Sequence, residues 1–207
     1  MLKDSPYRRI LVYSGIVVLA AMFLLPVLGS VHLFDSDETN YAESAREMIV
    51  TGDYLTVQID FEPFPEKPPL FFWLQVLSMK AFGINEFAAR FPNVVCGIIS
   101  LMLLYFFGRK LYGHRFGLLW ILSYGAAILP FFFFRSGIID PWFNLFILLG
   151  LYFAYRSLSA KGRHHSFSAL SGLFTGLSIL TKGPVGLLIF IIVFSVYLFY
   201  TKTRLKI

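Results

Sequence analysis

The sequence predicts an all-α polytopic membrane protein, and three observations lead there. Of its residues 57% are hydrophobic, 18% aromatic and only 14% charged, against about 25% charged in an ordinary soluble domain. Apolar runs of about 17–25 residues, the length that crosses a bilayer as a helix, recur along the chain. Lys and Arg collect in short segments between alternate runs, which is an orientation signal. The net charge of +6 is therefore read first as topology. Nucleic-acid signatures are absent, so no nucleic-acid partner is expected.

Residues 1–207 read as a single transmembrane module with about six spans. The first covers 10–33, with Pro26 as a kink. The start, MLKDSPYRRI, resembles the basic region of a signal peptide. The apolar run after it exceeds the roughly 7–15 residues of a signal core, so the span is read as uncleaved. Residues 35–83 form an outer loop with amphipathic juxtamembrane helices. In its first helix Asp35 or Ser36 caps the start and Gly52 ends it. The stretch 68–82 is apolar but short, opens on two prolines and contains Gln75 and Lys80. The remaining spans are 91–107, 116–134, 138–155, 167–180 and 184–200. In the fifth, Gly172-x-x-x-Gly176 is expected to let another helix approach closely. The single cysteine, Cys96, lies in an apolar run and reads as packing.

Charge decides the ambiguous stretch. If 68–82 lies flat, segments 1–9, 108–115, 156–163 and 202–207 share one side and hold twelve of the eighteen Lys and Arg residues, with Asp4 as their one acid. The other side and its helix ends hold six bases and eleven acids. A spanning 68–82 would destroy that separation, so it is an interfacial helix and the basic side is cytoplasmic.

Ionisable residues then gather at the outer turns, where charge at membrane depth is costly. In FDSDETNYAESAREM, Asp37 and Glu38 follow the first span directly. A carboxylate there serves as a general base for an acceptor, helps hold a divalent cation, or simply favours a helix N-terminus. Glu43 and Glu47 read as a solvated helix face. Glu66 and Lys67 stand on the stiff PFPEKPPL stretch, as a carboxylate for metal and a cation for phosphate, or as an interfacial lysine with its counter-charge. Arg135 and Lys182 are either snorkelling cations or phosphate ligands. Asp140 before Pro141 either caps its helix or belongs to the site. The four histidines do not form a metal set.

Taken in order, DETNYAESAREM, GDY, PEKPPLFFW, IIDPWFNLF and LTKGPVGL resemble the N-terminal part of the bacterial ArnT-like and dolichyl-phosphate-mannose-protein mannosyltransferase-like family. The likeness runs from about residue 8 to 200. It implies a GT-C fold and a multi-pass glycosyltransferase of the bacterial inner (plasma) membrane. Such an enzyme moves a sugar from a polyprenyl-phosphate donor to a glycolipid or protein acceptor at the periplasmic face; ArnT members place 4-amino-4-deoxy-L-arabinose on lipid A. By the same resemblance Asp37 is the catalytic carboxylate, Glu66 stands at a metal position and Lys67 holds the donor phosphate. Asp140 and Lys182 match the motifs of later outer turns, and Tyr41 and Arg46 match framework positions of the first outer helix. Family members are longer, so the chain corresponds to a fragment or a truncated gene that lacks the C-terminal half.

Two rival readings differ in class. A transporter or flippase-like protein would place ionisable groups near span centres, whereas Arg90, Arg135, Asp140 and Lys182 fall at span ends. A non-catalytic membrane scaffold subunit is the second rival.

Overall fold

The computed structural model describes residues 6–159 and 164–201. The basic segments 1–5, 160–163 and 202–207, parts of the charge argument above, lie outside the described residues. The described chain is almost wholly helical. It runs α1 (Pro6–Leu24), α2 (Ser36–Thr51), a two-stranded hairpin of β1 (Gln58–Ile59) and β2 (Glu62–Pro63), then α3 (Leu70–Phe82) and α4 (Glu86–Tyr112). It continues with α5 (His114–Gly125), α6 (Ile128–Phe134), α7 (Asp140–Ser159), α8 (His164–Lys182) and α9 (Val185–Thr201).

Two elements differ from expectation, and proline explains both. The first helix was expected to continue past Pro26 to residue 33. It stops at Leu24, and the chain turns through a left-handed Val27, φ 56°, because the residue before a proline is pushed out of helical geometry. The run 116–134 was expected to be one helix. It breaks into α5 and α6, bent by 73°. Pro130 has no N–H to give the carbonyl of Ala126, and its ring collides with that carbonyl, so the helix cannot pass through 126–127. In α4 the same residue type is tolerated at Pro92, and Asn85 caps that helix by accepting from the Ala88 N–H at 2.9 Å.

The close approach of helices also falls elsewhere than the Gly172/Gly176 motif suggested. Added Cβ atoms at those two glycines would meet nothing within 4 Å. Instead α7 meets α8 at Gly150, where a Cβ would stand 3.0 Å from Thr175 Oγ1, and Ser171 Oγ donates to the Gly150 carbonyl at 2.9 Å.

The bundle has two unlike poles. At one, Tyr13 packs edge-on against Tyr105 at 5.3 Å, Tyr105 bonds His114 at 2.8 Å, and Arg156 lies over Phe167 at 5.1 Å. The other carries α2, the hairpin, α3 and the α6–α7 and α8–α9 turns. Beneath it sits the core of Tyr41, Ala45, Met48, Phe71, Phe72, Val76, Met79, Ala88, Ile139 and Phe143. Large apolar side chains of α1 and α9 point outward, among them Leu11, Leu19, Met22, Leu188, Ile192 and Val196. Among the described residues, α4 alone is long and apolar enough to span a membrane by itself; the bent α5–α6 pair would be a second if it is one broken span.

Candidate functional site

The stretch that drew attention in the sequence becomes α2. Asp35 is its N-cap, with extended backbone (φ −91°, ψ 142°), and the Asp35 carbonyl accepts from the Thr39 N–H at 3.0 Å. Gly52, at φ 75°, ends it. Asp37 and Glu38 lie in the first turn, where the helix dipole favours negative charge, but their environments are opposite: Asp37 is exposed and Glu38 wholly buried.

Asp37 shares a face with Tyr41, four residues on. Tyr41 is buried, its ring edge-on to Phe71 and Phe72 at 6.1 and 5.6 Å. Its hydroxyl lies close to Asp37 and within the field of Asp140. Burial first, and then the Asp37 charge and hydrogen bond, push the Tyr41 phenol well above its usual pKa, so it remains a neutral donor. Asp140 opens α7, and its Oδ1 receives Lys182 Nζ at 2.6 Å. Lys182 is the last residue of α8, 5.5 Å from the Phe143 ring centroid, followed by Gly183 at φ 80°. An acid at a helix start and a base at a helix end each suit the local dipole. About a third of each side chain is accessible (35% and 33%), so a polar ligand can reach the pair. Asp37, Tyr41, Asp140 and Lys182 thus gather from three helices.

Glu38 departs from its expected role as a second catalytic acid. Its Oε1 and Oε2 receive Arg90 Nε and Nη2 at 2.8 and 2.9 Å, and Oε1 also accepts from the Gly137 N–H at 2.6 Å. A carboxylate with no accessible surface and both oxygens engaged cannot take a proton from an acceptor. Arg90, 3% exposed, gives its other donors to the carbonyls of Leu28, Val31 and His32 at 2.8, 2.7 and 3.2 Å. One turn on, Asn93 Nδ2 holds the carbonyls of Ser136 and Ile138 at 2.5 and 2.7 Å. Gln75 Nε2 donates to the Ala89 carbonyl at 3.0 Å. Gly137 fits between them: a Cβ there would stand 3.2–3.3 Å from Ala89 O, Gln75 Nε2 and Glu38 Cγ. This hub fixes α2, and so Asp37, relative to the turn that delivers Asp140. The sequence reading missed its partnerships. The signal available was an arginine and two amides inside otherwise apolar segments, each of which needs a partner.

The other predicted residues lie apart. Glu66 is exposed and Lys67 half-buried on the strap between the hairpin and α3, and among the described residues neither has a hydrogen-bond or ion-pair partner. Phe64, just before them, packs against the core that holds Tyr41, which keeps this strap on the same pole. Arg46 does not join Asp37. Nine residues on a helix of 3.6 per turn is half a revolution away, and Arg46 pairs there with Glu43 at 2.8 and 2.5 Å. Arg135 donates to the Pro26 carbonyl at 2.6 Å and stacks on Phe131 at 5.1 Å, facing the α1–α2 linker. Glu47, expected to be solvated, is wholly buried. Among the described residues no three His, Cys, Asp or Glu side chains converge. Glu66 offers one ligand, and the residues described do not by themselves complete a cation site.

Residues 66–207 match the profile of the dolichyl-phosphate-mannose-protein mannosyltransferase family. The chain belongs to this family. Among its relatives is the undecaprenyl phosphate-alpha-4-amino-4-deoxy-L-arabinose arabinosyl transferase of Photorhabdus laumondii, 31% identical over 188 residues, which are 89% of this chain and 34% of that protein. The arabinosyl transferase 2 of Proteus mirabilis is 30% identical over 195 residues, 91% of this chain and 35% of that one. The crystal structure of ArnT from Cupriavidus metallidurans in the apo state superposes with a TM-score of 0.82 at 24% identity, over 95% of this chain and 37% of that chain. The same protein bound to undecaprenyl phosphate gives 0.75 at 22% identity. The fold is therefore that of ArnT, and the chain spans about a third of the length of the curated relatives it matches.

Proposed function

We propose that this chain is the first membrane module of a glycosyltransferase that takes a sugar from a polyprenyl-phosphate donor and places it on a lipid A-like or protein acceptor at the outer face of the bacterial inner membrane. The observation that carries this reading is the convergence of Asp37, Tyr41, Asp140 and Lys182 at one pole, in a chain whose arabinosyl transferase relatives act on an undecaprenyl-phosphate-linked sugar. This reading takes α1, α4, the broken α5–α6 pair, α7, α8 and α9 as six spans, which the outward apolar faces of α1 and α9 support. In this reading α2, the hairpin and α3 lie at the outer interface, and the basic pole faces the cytoplasm.

The chemistry divides among residues. The acceptor hydroxyl or amine loses its proton to Asp37, the exposed carboxylate of the cluster, as its oxygen or nitrogen bonds the anomeric carbon. The bond from that carbon to the phosphate oxygen breaks, and polyprenyl phosphate leaves. Tyr41, held neutral, donates to Asp37 and orients it. Lys67, without an ion-pair partner among the described residues, meets the phosphate. Lys182, fixed by Asp140, adds positive potential where charge grows on the leaving group.

Asp37→Asn and Lys67→Ala separate these roles. In membranes carrying the protein, Asp37→Asn is expected to cut transfer by about 100-fold or more, the usual worth of a general base, while undecaprenyl phosphate binding is retained. Lys67→Ala is expected to weaken that binding as well as the rate. Unchanged turnover in Asp37→Asn would remove Asp37 from the mechanism.

A further inference from the structure

The strap that bears Lys67 starts from a hairpin with an unfavourable turn. Gln58 pairs with Pro63 and Ile59 with Glu62, leaving Asp60-Phe61 as a two-residue loop. Both loop residues are left-handed, at φ 56° and 61°. Two-residue turns with both positions left-handed favour Asn-Gly or Asp-Gly; a phenylalanine there puts Cβ against its own carbonyl. Such a conformation persists only where the surroundings impose it.

Among the described residues, one side chain bonds the backbone of this turn. Glu47 of α2 has no accessible surface, and its Oε2 receives the Phe61 N–H at 3.0 Å across fourteen residues. Its Oε1 is buried with no hydrogen-bond partner among the described residues. The Arg46 guanidinium, tied to Glu43, lies 5.9 Å from the Phe61 ring centroid. The hairpin closes on Phe64 N–H to the Val57 carbonyl at 2.7 Å, and two residues later the chain reaches Glu66 and Lys67. The far end is pinned separately, by Trp73 Nε1 to the Tyr54 carbonyl at 2.6 Å. Lys67 thus hangs between a pinned helix and a turn that is held through Glu47.

We infer that Glu47 is a positioning residue: by holding the Phe61 amide it imposes the left-handed turn and thereby sets where Lys67 presents its charge to a phosphate. The inference rests on the reading of Lys67 as a phosphate ligand for its functional half, and on hairpin geometry alone for its structural half. A buried carboxylate is costly to maintain; Glu47 has Glu43 and Arg46 as charged neighbours, and the backbone amide its side chain holds is the one this turn needs.

Two measurements test it. Spin labels at Val50→Cys on α2 and Glu62→Cys on the hairpin report the strap directly. Glu47→Ala should broaden their distance distribution, and Glu47→Gln, whose amide oxygen still accepts from Phe61, should restore it. Replacing the turn by Asp60→Asn with Phe61→Gly makes left-handed geometry intrinsic, so this pair should rescue Glu47→Ala, which also separates positioning from a general folding defect. Binding of undecaprenyl phosphate should weaken about tenfold in Glu47→Ala, the scale of one charge-assisted hydrogen bond, and recover in both rescued forms. An unchanged distance distribution in Glu47→Ala, or failure of the Asn-Gly turn to rescue it, overturns the inference. A broadened distribution together with normal binding in Lys67→Ala leaves the hairpin role standing and removes the phosphate role of Lys67.

Discussion

Arg90→Met is the sharpest test of how the site is held. The substitution keeps an unbranched apolar stem but removes five donated hydrogen bonds, two to Glu38 and one each to the carbonyls of Leu28, Val31 and His32, counting each acceptor atom once. Glu38 would then be a charge with no accessible surface and one remaining partner, the Gly137 amide. Removing one member of a buried pair typically costs about 3–5 kcal/mol, because the other charge is stranded. At about 2–4 °C of Tm per kcal/mol for a chain of this size, the midpoint should fall by roughly 6–20 °C. The assay is thermal unfolding in detergent, followed by helical circular dichroism, for wild type, Arg90→Met, Glu38→Leu and the double variant. The double variant should recover much of the loss, because a buried ion pair replaced by apolar groups is often near neutral, and the cycle isolates the pair's coupling. A midpoint for Arg90→Met within about 2 °C of wild type, less than one kcal/mol on the same scale, would refute the claim that this hub holds α2 to the α6–α7 turn.

Further expectations concern topology, the Asp140–Lys182 pair and acid stability. An impermeant thiol reagent added to intact cells should label Asp53→Cys and leave Lys110→Cys unlabelled, and the reverse pattern would invert the proposed orientation. Lys182→Met should reduce transfer by on the order of 100-fold, as loss of one electrostatic donor does, and Asp140→Asn should do less harm because it leaves that positive charge in place; equal activity of Lys182→Met and wild type would take the lysine out of the site. Hydrogen bonds from Arg46 hold the Glu43 carboxyl below its ordinary pKa. Its contribution to stability is therefore present above the unfolded carboxyl's pKa and lost as pH falls through the lower folded value. Since a third of that side chain is exposed, Glu43→Gln should flatten the acid limb of a Tm–pH curve by no more than about 0.5 kcal/mol; an unaltered acid limb would show that the pair contributes nothing.

What was legible in the sequence followed from local rules. α2 begins at a capping Asp35 and ends at Gly52 because caps and left-handed glycines act within one turn of chain. The short, proline-headed α3 and the Asp140-Pro141 start of α7 read off in the same way. Pro26, read as a kink, ends α1 instead of bending it, and Pro130, which the run 116–134 carries within it, breaks that run in two. What the sequence hid depends on partners far apart along the chain. Nothing within DETNYAES distinguishes Asp37 from Glu38. One is exposed and the other buried only because Arg90, fifty-two positions away, arrives beneath Glu38. Glu47 was misread for the same reason, since its partner is a backbone amide in a hairpin that has no strong signature. Arg46 was carried over by motif, although helix geometry alone sets it half a turn from Asp37.

The Glu38 hub also orders events in time. The amide of Gly137 reaches Glu38 across ninety-nine residues. At about 5–20 residues per second of synthesis, roughly 5–20 s pass between the emergence of the acid and that of its last partner. Within that interval α2 is completed and Arg90 arrives fifty-two residues after Glu38, while the glycine amide is still to come. The first two helices therefore await the α6–α7 turn, and this pole sets only after more than half of this chain has been delivered to the membrane.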